Sequence, residues 1–115
     1  MYEGEYLLPH GKITVEECTR KRSRGFLALN PGASLEPHTR PVTERLEQIE
    51  GRSERVVEGE RVVMKPGDKI EIPPGQLHVH SNPFKRKSVT RWEFDGDITE
   101  VIAAIAKAHG KIEKG

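Results

Sequence analysis

The chain has 115 residues, 32% of them charged and 34% apolar, with 8 prolines, 11 glycines and a formal net charge of +1. That length is one domain's worth with one modest core, the near-neutral charge excludes a strong global field for nucleic acid or anionic membrane, and no stretch approaches the ~20 apolar residues that span a bilayer. The single cysteine, Cys18, excludes an intramolecular disulfide, and the acidic start Met1-Tyr2-Glu3-Gly4-Glu5 lacks a signal-peptide apolar run, so a soluble cytoplasmic protein is expected.

In chain order, the turn signals are Pro9-His10-Gly11, Asn30-Pro31-Gly32, Glu50-Gly51, Glu58-Gly59, Lys65-Pro66-Gly67-Asp68, Pro73-Pro74-Gly75 and Asn82-Pro83. Between them fall strands predicted over Gly25–Leu29, Ser34–His38, Thr43–Ile49, Ser53–Val57, Arg61–Lys65, Lys69–Ile72, Gln76–Ser81 and Ser88–Phe94. Short strands punctuated this regularly predict an all-β sandwich or barrel. Glu58-Gly59 reads as the turn of a hairpin. From Asp97 the period changes. Ile98, Val101, Ile102, Ile105 and Ile112 fall at helical spacing, which predicts a C-terminal helix over about 97–110. Asp97 is the expected N-cap, with Glu100 placed for a capping box, and Gly110 is the expected stop. The apolar stripe suits packing on the barrel's own outer face or across a dimer interface. The basic runs Arg20-Lys21-Arg22-Ser23-Arg24 and Lys85-Arg86-Lys87 read as solvated faces, so no nucleic-acid partner and no membrane partner are expected.

Two segments carry chemistry. In residues 32–51, Gly32 is followed after five residues by His38, then by Arg40, Glu44 and Gly51. In residues 67–82, Gly67 is followed by Pro73, Gly75, His78 and Asn82. Residues two apart on a strand share a face, so Glu44, Leu46 and Gln48 point together, as do His78 and His80. Imidazoles and a carboxylate converging inside a barrel suit a divalent first-row metal.

In these residues the chain resembles the cupin superfamily. The first motif of that family is Gly-x5-His-x-His-x3,4-Glu-x6-Gly, and the second is Gly-x5-Pro-x-Gly-x2-His-x3-Asn. Only Arg40 departs, standing at the second histidine of the first motif; 15 residues separate the two motifs, as in a short single-domain member. The resemblance implies one cupin domain over residues 1–115, with the fold of a double-stranded β-helix (a jelly-roll or cupin barrel) and a C-terminal α-helix. It implies a divalent metal ion (Fe, Mn, Ni, Zn or Cu) held by His38, Glu44 and His78, and a homodimer, for which outward apolar residues such as Ile49 and Val63 can supply surface.

Arg40 leaves three outcomes open, because a guanidinium has no lone pair for a metal. The metal can be held by two His and one Glu, the composition of a facial triad with open positions. His80 can supply a replacement ligand. Arg40 can instead ion-pair with Glu44, with no metal bound. Two functions follow. One is a metal-dependent enzyme of dioxygenase or isomerase type acting on a small polar molecule, with Arg40 clamping an oxyanion and Glu44 available as a general base. The other is a non-catalytic, metal-free module that binds a small anion or sugar. Arg40, Gln48 and His80 are the expected substrate-binding residues.

Overall fold

Alternation of buried and outward side chains, interrupted by bulges, builds this chain's sheets. A computed structural model describes residues 1–113; the last two residues of the expected domain, 114 and 115, lie outside the described residues. The strands are β1 (Gly4–Leu8), β2 (Gly11–Cys18), β3 (Ser23–Leu29), β4 (Glu44–Glu50), β5 (Ser53–Val57), β6 (Glu60–Met64), β7 (Lys69–Ile72), β8 (His78–Ser81) and β9 (Ser88–Phe94), followed by the helix α1 (Thr99–Ala108). They form a six-stranded sheet in the order β1-β2-β3-β9-β4-β7 and a three-stranded sheet in the order β6-β5-β8, antiparallel throughout. β3 buries Ser23, Gly25, Leu27 and Leu29, and β9 buries Ser88, Thr90, Trp92 and Phe94. These inner faces enclose a core that includes Val15, Leu46, Met64 and Ile72.

Two local devices set the shape. Glu58 and Gly59 both take positive φ (49° and 81°), so they form the tight turn that joins β5 to β6. A Cβ at Gly25 would lie 1.8 Å from the Thr14 carbonyl oxygen and 2.6 Å from the Trp92 ring, so glycine there lets the indole lie against β3.

The sequence expectation needs several corrections. β1 and β2 are strands that it did not include. In β2 the inward residues Val15 and Cys18 stand three apart across a bulge, with Glu16 and Glu17 between them, which breaks the two-residue period. Ser34–His38 is not a continuous strand; it touches β8 through the Ser34–Ser81 and His38–His78 bridges alone. Four steps on one side match three on the other, which is one extra residue, and Pro37 has no N–H to donate.

The helix starts after Ile98, and the Asp97 carboxylate accepts from the backbone N–H (2.9 Å) and the hydroxyl (2.6 Å) of Thr99. Ile112 lies beyond the helix. There, residues 110–112 pair with β1: Leu7 N donates to Gly110 O and Ile112 N to Glu5 O. This tail covers the outer edge of β1. Ile98 and Ile102 are buried in the chain's own core, so the helix packs on its own barrel. No helix among the described residues is long and apolar enough to cross a membrane.

Gln48 ties the two sheets together. Its side chain is fully buried. Its amide nitrogen donates to Glu50 O, Gly51 O and Ser88 Oγ, and its amide oxygen accepts from Ser53 Oγ (2.7 Å) and Thr90 Oγ1 (2.9 Å). Replacing it with leucine strands several buried polar groups at once. Gln48→Leu is therefore expected to lose about 2–4 kcal/mol in chemical denaturation; a loss below about 1 kcal/mol would mean that water takes over the network.

Candidate metal centre

His38, Glu44 and His78 come from three separate pieces of chain, and their ligand atoms lie within 4.8 Å of one another. β4 holds Glu44 between two neighbours, opposite Ile72 on β7 and Phe94 on β9. β8 supplies His78. His38 sits just past the extra residue in the 34–38 segment, where its N–H donates to His78 O and its carbonyl accepts from His78 N, each at 3.0 Å. Regular alternation would put His38 on the face opposite to Leu35. The extra residue turns both Leu35 and His38 toward the cavity. The two imidazoles meet edge to face at 4.1 Å.

Both rings are oriented alike. His38 Nδ1 lies 3.0 Å from Glu36 O, and His78 Nδ1 lies 3.0 Å from Gln76 O. A carbonyl only accepts, so each Nδ1 carries a proton, and in the neutral ring each Nε2 keeps its lone pair. His78 Nε2 approaches Glu44 Oε2 at 3.2 Å, yet the alignment is not that of a hydrogen bond, and both buried atoms lack a partner. Buried lone pairs that converge unpaired match the donor set of a divalent metal.

The electrostatics favour neutral His38 and His80 rings beside an ionised Glu44. Burial pushes His38 down to about 4, and the Arg40 charge adds to it. His80 is lowered well below 6.5 by burial, and next by Arg55. Burial would raise the Glu44 carboxyl, but contact with His78, when that ring carries a proton on Nε2, and the charge of Arg55 outweigh it and hold it below its ordinary value.

His38 and Glu44 of the trio open on a cavity of about 70 Å³ lined by Leu27, Leu35, Leu46, Thr90, Trp92 and Phe94 together with Arg40, Arg55 and His80. Arg40 is half-buried at this cavity. Its backbone carbonyl accepts from Gly75 N and its side chain donates to Thr39 O. No ion pair joins it to Glu44, so the arrangement that would have closed the site against a metal does not form. His80 lines the cavity but stands outside the converging trio, so it is not a replacement ligand there. Gln48 does not line the cavity. Its amide is spent on the network above, which removes the geometric support for a substrate contact. Asn82 is buried in the turn it closes, bonding Leu29 O, Arg86 O and Phe84 N.

The site residue that sequence reasoning missed is Arg55. It is 2% exposed, sits opposite His80 in the β5–β8 ladder, and leaves Nε and Nη2 without a partner.

The family model described as Cupin domain matches residues 25–90. No curated protein matches the chain. Among solved structures it is similar to an RmlC-like cupin from Shewanella frigidimarina, with a TM-score of 0.75 and 17% identity over 83% of this chain and 84% of that one. It is also similar to KdgF from Halomonas sp., with a TM-score of 0.69 and 17% identity over 83% of this chain and 89% of that one. A third similar structure is the DMSP lyase DddQ from Ruegeria pomeroyi, with a TM-score of 0.69 and 19% identity over 85% of this chain but 55% of that one. At these identities the likeness speaks for the fold.

The depressed histidines predict a pH dependence in the metal-free protein. In the unfolded chain these imidazoles take up protons near 6.5, whereas His38 in the folded protein resists down to about 4. The unfolded state then binds more protons, so stability falls as pH drops from about 7 to about 5. Thermal melts are expected to show that fall, with a shallower slope in His80→Gln. Equal slopes in the two proteins would contradict the neutral, buried His80.

Proposed function

The chain belongs to the cupin family, and from that premise we propose that it binds one divalent metal through His38, Glu44 and His78 and acts on a small polar or anionic molecule inside the barrel. The observation that carries this reading is the pair of buried, unpartnered ligand atoms, His78 Nε2 and Glu44 Oε2, beside a His38 ring turned the same way. When bound, such an ion supplies Lewis acidity and, for a redox-active metal, electron transfer, which suit isomerase- or dioxygenase-type chemistry.

The protein's own part is positional. β4 and the His38–His78 backbone pair hold the three donors still. The apolar wall of Leu27, Leu35, Leu46, Trp92 and Phe94 excludes water. Arg40 stands at the cavity as an oxyanion clamp. Glu44 is the carboxylate available as a proton acceptor whenever it is free of the metal.

A second reading, a metal-free binder of small anions, is favoured by one observation: two guanidinium groups, those of Arg40 and Arg55, line the same cavity and oppose a cation. Elemental analysis of untagged protein offered Fe, Mn, Ni, Zn and Cu in turn separates the two. The metal reading expects close to one equivalent in the wild type, and His38→Ala weakening retention by at least about 100-fold. Persistent absence of metal in the wild type would leave the binder.

Pairing of two copies belongs to the same proposal. It is supported by the outward apolar residues Ile49 (43% exposed) and Val63 (40% exposed). Sedimentation is expected to return a dimer mass, and a monomer mass at every concentration would remove that part.

A further inference from the structure

We propose that Arg55 anchors the carboxylate of a small organic acid at the inner wall of the cavity, and that the acid's second oxygen function faces His38, Glu44 and His78. The first half of this inference is independent of the metal, whereas the orientation of the second oxygen rests on the metal-site reading above.

Arg55 is the largest fully buried side chain among the described residues. A buried guanidinium is costly unless its donors and its charge are met. Here they are not. No ion pair reaches Arg55, and its Nε and Nη2 have no hydrogen-bond partner. Those two nitrogens form one edge of the guanidinium fork, the edge whose two parallel N–H groups match the two oxygens of a carboxylate. Arg40 Nε and Trp92 Nε1, on two further lining residues, are also buried without partners. The orphaned groups are thus weighted toward donors, which calls for a ligand rich in acceptors.

Charge points the same way. Two guanidinium groups against the single carboxylate of Glu44 leave the cavity one positive charge in excess, and a divalent ion would add two more. Water can satisfy N–H groups, but it cannot neutralise that excess. Size narrows the class. A cavity of about 70 Å³ holds only a few non-hydrogen atoms, and its remaining wall is apolar. The arrangement therefore favours a short carboxylic acid with an adjacent 2-oxo, 2-hydroxy or second carboxyl group over a sugar or a phosphorylated metabolite.

The test uses pyruvate and its neutral isostere pyruvamide, titrated into chelator-treated protein and followed by amide NMR shifts. Pyruvate is expected to bind at least about 10-fold more tightly than pyruvamide. Arg55→Met is expected to abolish that preference, and Arg55→Lys, which keeps the charge but not the fork, to retain part of it. The wild-type comparison needs no variant to fold. Equal affinities for the two probes would overturn the anion site. A preference that survives unchanged in both Arg55 variants would overturn the assignment to Arg55. A preference that depends on Arg55, together with untreated protein that takes up no metal when Fe, Mn, Ni, Zn and Cu are offered, would uphold the anchor and sink the metal reading instead.

Discussion

Glu44 and Arg55 line one cavity from two different sheets, and no ion pair joins them. That separation is the constraint on which the site depends. Had the two side chains met, each would have satisfied the other and the cavity would be a sealed core. Held apart, the carboxylate keeps a lone pair beside His78, and the guanidinium keeps a whole donor edge beside His80. The cost of burying charges in this way is of the order of several kcal/mol per ion. It falls on a small protein, and the apolar inner faces of β3, β4 and β9 and the saturated network around Gln48 are what offset it.

The same separation assigns the two ends of the cavity different chemistry. At one end, backbone carbonyls hold both Nδ1 protons, so the neutral rings offer their Nε2 lone pairs beside Glu44. At the other, the orphaned groups are chiefly N–H donors, beside His80 Nε2. A molecule bridging the ends must therefore offer acceptors to Arg55 and a ligating oxygen toward the histidines. The extra residue between Ser34 and His38 is the local device that makes this possible, because it turns His38 inward beside His78. Arg40, standing at the position of a fourth ligand, adds positive charge where a related barrel would add a lone pair.

Much of this was legible from residue order. The strands β5, β7 and β9 fall where alternation and turn residues put them, and the spacing of Gly32, His38, Glu44 and Gly51 with Gly67, Pro73, Gly75, His78 and Asn82 carried both the fold and the trio. What was not legible has physical causes. β1 and β2 gain their order from pairing with β3 and the C-terminal tail, which no local pattern encodes. In Ser53-Glu54-Arg55-Val56-Val57 each face of the strand carries one charged residue, so parity alone does not tell which side is buried, and an arginine reads as outward by default. Gln48 shares the inward face of Glu44 as expected, but its partners Ser53, Ser88 and Thr90 lie 5 to 42 residues away and turn a candidate contact into a structural tie. Whether Arg40 meets Glu44 is a question of side-chain reach, which spacing does not answer.

The most direct measurement is an anomalous-difference map from a crystal of the metal-reconstituted protein, collected at that metal's absorption edge. A single peak in ligating contact with His38 Nε2, His78 Nε2 and a Glu44 carboxylate oxygen is the predicted result. A cavity without a peak, or a peak held by other residues, would contradict it.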